Sequence, residues 1–448
     1  MRNSFFPIYK VTNLPTEIKR KYYIRALMCS TAALLSSTAG DTIDLRLEED
    51  TSGPVLYVSK LETNSPRPPS PSSSCSDHTF KLSLNHESPT PIEFDGLSFI
   101  TKNIAAGKVR LSITKGTEDL GYLDIQEDGT IHLATKSTSD HIYVSSNKDI
   151  YVSGKTSSSL SEECGLTVQT SQDVCLEGNL IFRTLNIEAK KIVQRGKVAT
   201  TEFNIIAESL ETSGEIRTLD TNVSLTKDWL NDANIVIAGC LNLQARSLKN
   251  RRRFSVEHIK DVRLTKLINS NEEGDLAKLE FFGETPIQLS EIAFFKNAGE
   301  IYFKSGVNII SKRFINPGSI VSASGGIHIH AEAVETHKII VMDEHSLEII
   351  AGTLTSREMI TKGDMKLNIS NEAHLSGVHG AKSLTLEGGS FNHNGQIEVM
   401  DTLQANIGKL HHVSGIIKSR KIEGTVARLI NKGCLEASQI IKIKGYFF

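Results

Sequence analysis

The most constraining feature of this 448-residue sequence is a nine-residue pattern that returns about every nineteen residues. Each copy has a large apolar residue, a polar residue that is usually Asn, then Gly, one further residue, and Ile or Leu. The clearest copies are FKNAGEIYF from Phe295, FINPGSIVS from Phe314, FNHNGQIEV from Phe391 and LINKGCLEA from Leu429. Their central glycines include Gly299 and Gly318, which are one period apart. A constant period of this length indicates a repeat protein in which each unit packs on the next.

Short alternating runs lie between these copies, such as Met365-Lys-Leu367-Asn-Ile369. Strict alternation is typical of β-strands with one buried and one exposed face. One coil of this length cannot bury its apolar face alone, but stacking the next coil on it does so. Aromatic residues make up only 6% of the chain, which fits a narrow aliphatic core. The sequence therefore predicts an all-β parallel β-helix solenoid with rungs of about 19 residues, with glycines supplying positive φ or tight bends at the corners.

The N-terminal part of the chain differs from the repeats. Residues 1–40 are predicted to be a leader, with a possible signal-like helix that is basic and then apolar. Residues 41–94 are expected to hold short strands, including a strand pair at Asp41–Leu47 and Val55–Leu61, and a linker rich in Pro and Ser at residues 64–76.

The β-helix repeat domain is expected to cover residues 95–448, which at this period corresponds to roughly seventeen rungs. Residues 251–286 depart from the pattern and are predicted to be an insertion, partly helical.

Charge and cysteine usage exclude several classes of function. The chain has 50 Lys plus Arg and 52 Asp plus Glu, so it lacks the excess of positive charge that nucleic-acid binding requires. The one dense basic run, from Lys249 to Arg253, is interpreted as a solvated start of the insertion; a contact with an anionic surface or a nuclear signal is the alternative. The six cysteines have no zinc-like spacing. No cofactor is expected, and no segment is apolar enough for a convincing membrane span.

One unit of the array has the pattern Leu-x-Leu-x-Ala-x-x-Leu-x-Asn, formed by Leu241, Leu243, Ala245, Leu248 and Asn250. Together with Asn-x-Gly-x-Ile at 297–301, this pattern resembles the repeats of filamentous haemagglutinin-type bacterial exoproteins over about residues 200–448. The resemblance implies a right-handed β-helix, a secreted or cell-surface location, and a role in adhesion or in presenting a toxin module. The Asn-Pro motif at 316–317 lies deep in the array, whereas the family carries such motifs in an N-terminal secretion domain.

Histidines are the main candidates for chemistry. His374, His393 and His412 follow one another at the period of the repeat and are predicted to stack on successive rungs, where neutral imidazoles could bind a metal. The alternative is a solvent-facing ladder at a turn that shares its role with Asn. His328 and His330 share a strand face and are expected at the surface. Because neither reading identifies a site, no catalytic, cofactor-binding or metal-binding residue is assigned.

The leading functional hypothesis is a non-catalytic, secreted or surface-located, adhesin-like β-helix that binds an unknown protein or glycan through its long surface. The first alternative is an intracellular or host-delivered scaffold that polymerises through its end rungs. The second is a polysaccharide-acting enzyme, which would need carboxylates converging on neighbouring rungs. From Glu300 onward the only aspartates are Asp343, Asp364 and Asp401, which are too far apart in sequence to form a tight group.

Overall fold

The structure is a computed structural model that describes residues 42–50, 53–61, 79–83, 88–94, 97–105, 108–126, 130–135, 141–155, 165–270 and 276–447. Every regular element in these ranges is a β-strand, and most of the chain winds into a parallel β-solenoid of about 15 turns with coils of about 19 residues. The predicted fold class is confirmed. The possible signal-like leader at residues 1–40 lies outside the described residues.

The strands fall into two groups. The first eight form the N-terminal region: β1 Thr42–Asp50, β2 Gly53–Leu61, β3 Thr79–Ser83, β4 Ser88–Phe94, β5 Leu97–Ala105, β6 Lys108–Lys115, β7 Glu118–Gln126 and β8 Ile131–Thr135. The others continue the solenoid: β9 His141–Ser146, β10 Ile150–Lys155, β11 Gly165–Thr170, β12 Asp173–Gln194, β13 Lys197–Thr212, β14 Glu215–Leu225, β15 Asp228–Asn231, β16 Asn234–Asn250, β17 Arg253–Asn269, β18 Lys278–Phe281, β19 Ile287–Asn297, β20 Glu300–Phe303, β21 Val307–Ser322, β22 Ile327–Val341, β23 Leu347–Thr361, β24 Asp364–Ala381, β25 Ser383–Asn431 and β26 Cys434–Phe447. The longest strands run through whole coils because backbone pairing continues around the corners.

Strand β16 shows how one coil is built. It has three short faces, which we call face A (235–237), face B (241–245) and face C (248–250), and each pairs in parallel with the corresponding face of β17. Alternate residues of each face point inward and are buried, including Ile235, Leu241 and Leu248. A corner separates each face from the next. The apolar alternation in the sequence therefore marks the inner wall of the solenoid.

The core consists of ladders of similar side chains stacked from coil to coil. Ile301, Ile320 and Ile339 align on face A and are all buried. On face C the rings of Phe295 and Phe314 stack in parallel, with centroids 4.7 Å apart. Burial of each such side chain contributes about 1.5–3 kcal/mol relative to exposure. Because each coil supplies apolar surface to both neighbours, stability depends on the contacts between adjacent coils.

The N-terminal region covers the first coil with antiparallel sheets. The expected strand pair is present as β1 and β2, and β1 also pairs in parallel with β9. Strands β4 to β8 form an antiparallel meander, and β8 pairs in parallel with β10. The parallel ladder of consecutive coils thus begins near Ile131, later than residue 95, where the sequence pattern placed its start. The seventeen expected rungs were too many for this reason.

The stretch at 251–286 contains extra chain length, but its described residues include regular strands and no helix. Strand β17 stacks on β16 as an ordinary coil. The following coil is longer, because Arg253 pairs with Lys278 and Lys266 pairs with Phe294, and both separations in sequence exceed the usual period. The extra residues therefore come after Asn269, at the corner from face C to face A and between β18 and β19.

Candidate functional site

A polar ladder runs inside the solenoid at the end of face C. Asn231, Asn250, Asn269, Asn297 and Asn316 occupy this position in successive coils and have no exposed surface. Each side-chain Nδ2 donates to the Oδ1 of the next asparagine, at 2.7–2.8 Å. These hydrogen bonds satisfy buried amides that would otherwise be costly to desolvate.

The ladder continues at both ends with other polar residues. Thr212 donates to Asn231 at 2.7 Å, and Asn316 donates to the hydroxyl of Thr336 at 2.9 Å. The sequence indicated that these asparagine side chains point inward, because Asn250 comes two residues after the buried Leu248. In a strand, residues two apart share a face.

The same asparagines stabilise the corner from face C to face A. In the Asn-x-Gly unit at 297–299, Oδ1 of Asn297 accepts from the backbone N–H of Gly299 at 3.2 Å, and its Nδ2 donates to the carbonyl of Ser319 at 3.0 Å. A Cβ on Gly318 would overlap the carbonyl oxygen of Gly299, so this corner requires glycine because neighbouring backbones approach closely. The expected positive φ is found at Gly395 and Gly415.

Histidines replace asparagine in this ladder near the C-terminus. His393 and His412 lie on successive coils, with ring centroids 4.9 Å apart and the two Nδ1 atoms 3.0 Å apart. One Nδ1–H therefore donates to the lone pair of the other ring. Both side chains are buried, so the expectation of a solvent-facing ladder is wrong, whereas the shared role with Asn is confirmed.

His374 does not belong to this stack. It pairs with Asn392 and its side chain is 56% exposed, while Leu375 is the residue in register with His393. The pairing between β24 and β25 shifts between Ile369 and Glu372, so residues before the shift pair with partners 19 positions later and residues after it with partners 18 positions later. Because of such shifts, the regular spacing alone did not predict which residue faces inward.

Three buried polar atoms at His393 and in the coils just before it have no hydrogen-bond partner. They are the hydroxyl of Ser356, Nδ1 of His379 and Nε2 of His393. Leu375 occupies the ladder position between Ser356 and His393, so neither of these residues has a polar ladder neighbour on that side. His379 starts the next face A and bonds through Nε2 to the carbonyl of Ser376 at 3.1 Å.

Burial keeps these imidazoles neutral. It lowers the pKa of His379 to about 4. Burial, together with the neighbouring His412 and His379, lowers the pKa of His393 to about 4. Burial also lowers the pKa of His412, although hydrogen bonds including one to the carbonyl of Cys434 oppose this effect.

The lengthened coil opens a cleft on the outer surface. Strand β17 pairs with the next coil up to Val256 and again from Lys266, and among the described residues no strand pairing joins the two coils between these positions. Ile259 aligns with the buried Leu241, yet it is only partly buried, because the stack is open above it. The cleft has a volume of about 460 Å³. Its lining includes Glu257, His258, Lys260, Asp261 and Arg263, so it is charged with both signs.

A second groove follows the solenoid axis. Along it, Ile310, His330, Ile350 and Asn368 align on successive coils of face B. Its volume is about 610 Å³, and Glu332 is the one carboxylate that lines it. Aliphatic and polar side chains alternate from one coil to the next, so the groove allows contacts of both kinds along its length.

The other sequence candidates are on the surface. His330 lines this groove, and Nδ1 of His328 lies 3.2 Å from a carboxylate oxygen of Glu348. In the basic run, Arg251 pairs with Asp232 at 3.2 Å and Arg253 pairs with Glu280 at 2.6 Å. The run is therefore partly neutralised and spans a corner and the start of β17.

Within the described ranges, no group of three or more His, Cys, Asp and Glu side chains is arranged to hold a metal ion. None of the described elements is a helix that could cross a membrane. A scan against protein-family models and searches of curated proteins and of solved structures found no match to this chain.

Proposed function

We propose that this chain is a non-catalytic, adhesin-like structural β-solenoid, located at the cell surface or secreted, that binds a protein or glycan along its extended surface. The observation that carries the proposal is the groove in which Ile310, His330, Ile350 and Asn368 align on successive coils, so that aliphatic and polar groups alternate along it. A rigid, periodic surface suits an extended partner because little conformational entropy is lost on the solenoid side when it binds.

The inner asparagine ladder supports this proposal through rigidity. Its amides are hydrogen-bonded both along the axis and to the corners, so the spacing between coils is held at both places. The outer surface carries a second amide ladder, in which Asn222 donates to Asn204 and Asn204 donates to Asn186. A partner would therefore meet regularly spaced groups on a fixed frame.

Location is the first test of this function. Cys240 is exposed, so a membrane-impermeant maleimide should label it in intact producing cells if the solenoid is outside. The peptide carrying Cys240 is quantified by mass spectrometry before and after lysis, with Cys240→Ser as the control for specificity. Labelling that needs lysis would contradict the surface location and would favour the intracellular scaffold.

A self-associating scaffold is the second candidate, and the last described coil favours it. Ile441 is in register with the buried Ile422, yet it is 52% exposed because no described residue lies over it. A second copy could supply both the missing strand partner and the apolar contact. Sedimentation velocity should show concentration-dependent association that Ile441→Lys removes. The control is Ile206→Lys, at an outward position that is 58% exposed; equal behaviour of both variants would argue against this candidate.

A further inference from the structure

The ladder position at the end of face C changes its chemistry along the chain. From Asn231 to Asn316 it holds amides, which do not titrate between pH 3 and 9. In the C-terminal coils it holds His393 and His412, and His379 lies at the adjacent corner. The same internal position is thus insensitive to acid in one part of the solenoid and titratable in another.

We propose that His379, His393 and His412 make the C-terminal coils, residues 373–437, an acid-sensitive segment that opens when these imidazoles are protonated while the asparagine-laddered coils stay folded. This inference concerns the fold itself and holds whatever partner the surface binds.

The geometry explains why protonation is incompatible with the folded coils. The contact between the two Nδ1 atoms needs one donor and one acceptor, and an imidazolium has no acceptor left. If both His393 and His412 were charged, two positive rings would face each other at a centroid distance of 4.9 Å in a buried site. Protonation of one ring keeps this hydrogen bond, because the imidazolium donates to its neutral neighbour, but it places an unpaired charge in a buried site. Protonation of both rings replaces the hydrogen bond with repulsion.

Within the part of the chain that the structure describes, no negative charge compensates the three rings. The titratable groups that act on His393 are His412 and His379. The neighbours of His379 in register are the apolar Met359 and Ile397, and its hydrogen-bond acceptor is a backbone carbonyl. His412 likewise contacts the carbonyl of Cys434. No carboxylate contributes to the pKa shift of any of these rings.

The direction of the pH effect follows from proton linkage. The unfolded rings have an ordinary pKa of 6.5, and His379 and His393 titrate at about 4 when folded. Between these values the opened segment binds protons that the folded segment excludes, so its stability falls as the pH falls from about 6.5 to about 4. At about pH 4.5, each of these two histidines should favour opening on the order of 50- to 100-fold.

Hydrogen exchange followed by mass spectrometry on the full chain tests this inference at pH 7 and at about pH 4.5, after correction for the intrinsic exchange rate. Peptides from 373–437 should lose protection by two or more orders of magnitude at the lower pH, while peptides from 229–316 change by less than about tenfold. Equal loss in both segments, or no loss in the first, would overturn the proposal.

Variants assign the effect to the buried rings. The double change His393→Asn and His412→Asn restores the ladder residue of the middle coils and should reduce the acid effect by about 50- to 100-fold, the share of His393, while the share of His379 stays. If that variant does not fold, His379→Met provides the same test at the corner, since Met359 occupies the register position before it. His374→Asn is the matched control, because this exposed histidine should leave the pH response unchanged. An unchanged pH response in the buried-site variants would refute the assignment.

Discussion

Replacing an asparagine of the buried inner ladder should cost much more free energy of unfolding than replacing one of the outer ladder, although both make similar hydrogen bonds to their neighbours. Asn297 is fully buried, and it donates to Asn316 and to the carbonyl of Ser319 while it accepts from Asn269 and from the N–H of Gly299. Asn297→Ala removes the hydrogen-bond partners shown for Oδ1 of Asn316 and for the N–H of Gly299. Two buried groups without partners, at about 1–3 kcal/mol each, give an expected loss of about 2–6 kcal/mol in the free energy of unfolding.

The control is Asn204→Ala on the outer ladder. Asn204 also donates to one asparagine and accepts from another, but its side chain is only partly buried and water can replace both partners. Its loss should therefore be within about 1 kcal/mol.

Urea unfolding provides the measurement, with far-ultraviolet circular dichroism and the fluorescence of Trp229 as two signals. Trp229 is the single tryptophan and is buried in the coil that contains Asn231, so it reports on the asparagine-laddered coils. Agreement of the two signals shows whether a single free energy of unfolding is defined. If the two variants lose the same free energy of unfolding to within about 0.5 kcal/mol, burial does not determine how much a ladder asparagine contributes to stability.

Two further predictions concern the corner glycines and the N-terminal sheets. Gly318→Ala should prevent normal stacking of the coils, because the new Cβ would overlap the carbonyl oxygen of Gly299. Gly380→Ala should leave stability nearly unchanged, because the nearest atoms to its Cβ would be 4.0 Å away. Thermal melts of the two variants test this difference. In the meander, burial alone would raise the pKa of Asp124, but hydrogen bonds from Arg110 and Lys108 outweigh it and hold the pKa below its usual value. The stabilisation from this carboxylate is present above about pH 4 and is lost as the pH falls through its folded pKa, so Asp124→Asn should lower the melting temperature at pH 7 and have less effect near pH 3. A melting temperature for Asp124→Asn equal to that of the parent chain at pH 7 would contradict the second prediction.

The sequence by itself determined the solenoid, since a constant short period with alternating apolar residues can bury its core only by stacking coil on coil. It also determined the corners, because Asn-x-Gly suits a tight turn with close backbone approach. Because residues two apart in a strand share a face, the sequence also placed Asn250 on the same face as Leu248.

Tertiary structure decided what depends on which strand lies beside which. Alternation is the same in parallel and antiparallel strands, so the sequence did not reveal that strands β4 to β8 form an antiparallel meander. Small register shifts moved His374 to the surface and left His393 inside, although both fit the same period. A shift of one residue reverses the face of every side chain, and only the pairing of neighbouring coils sets that register.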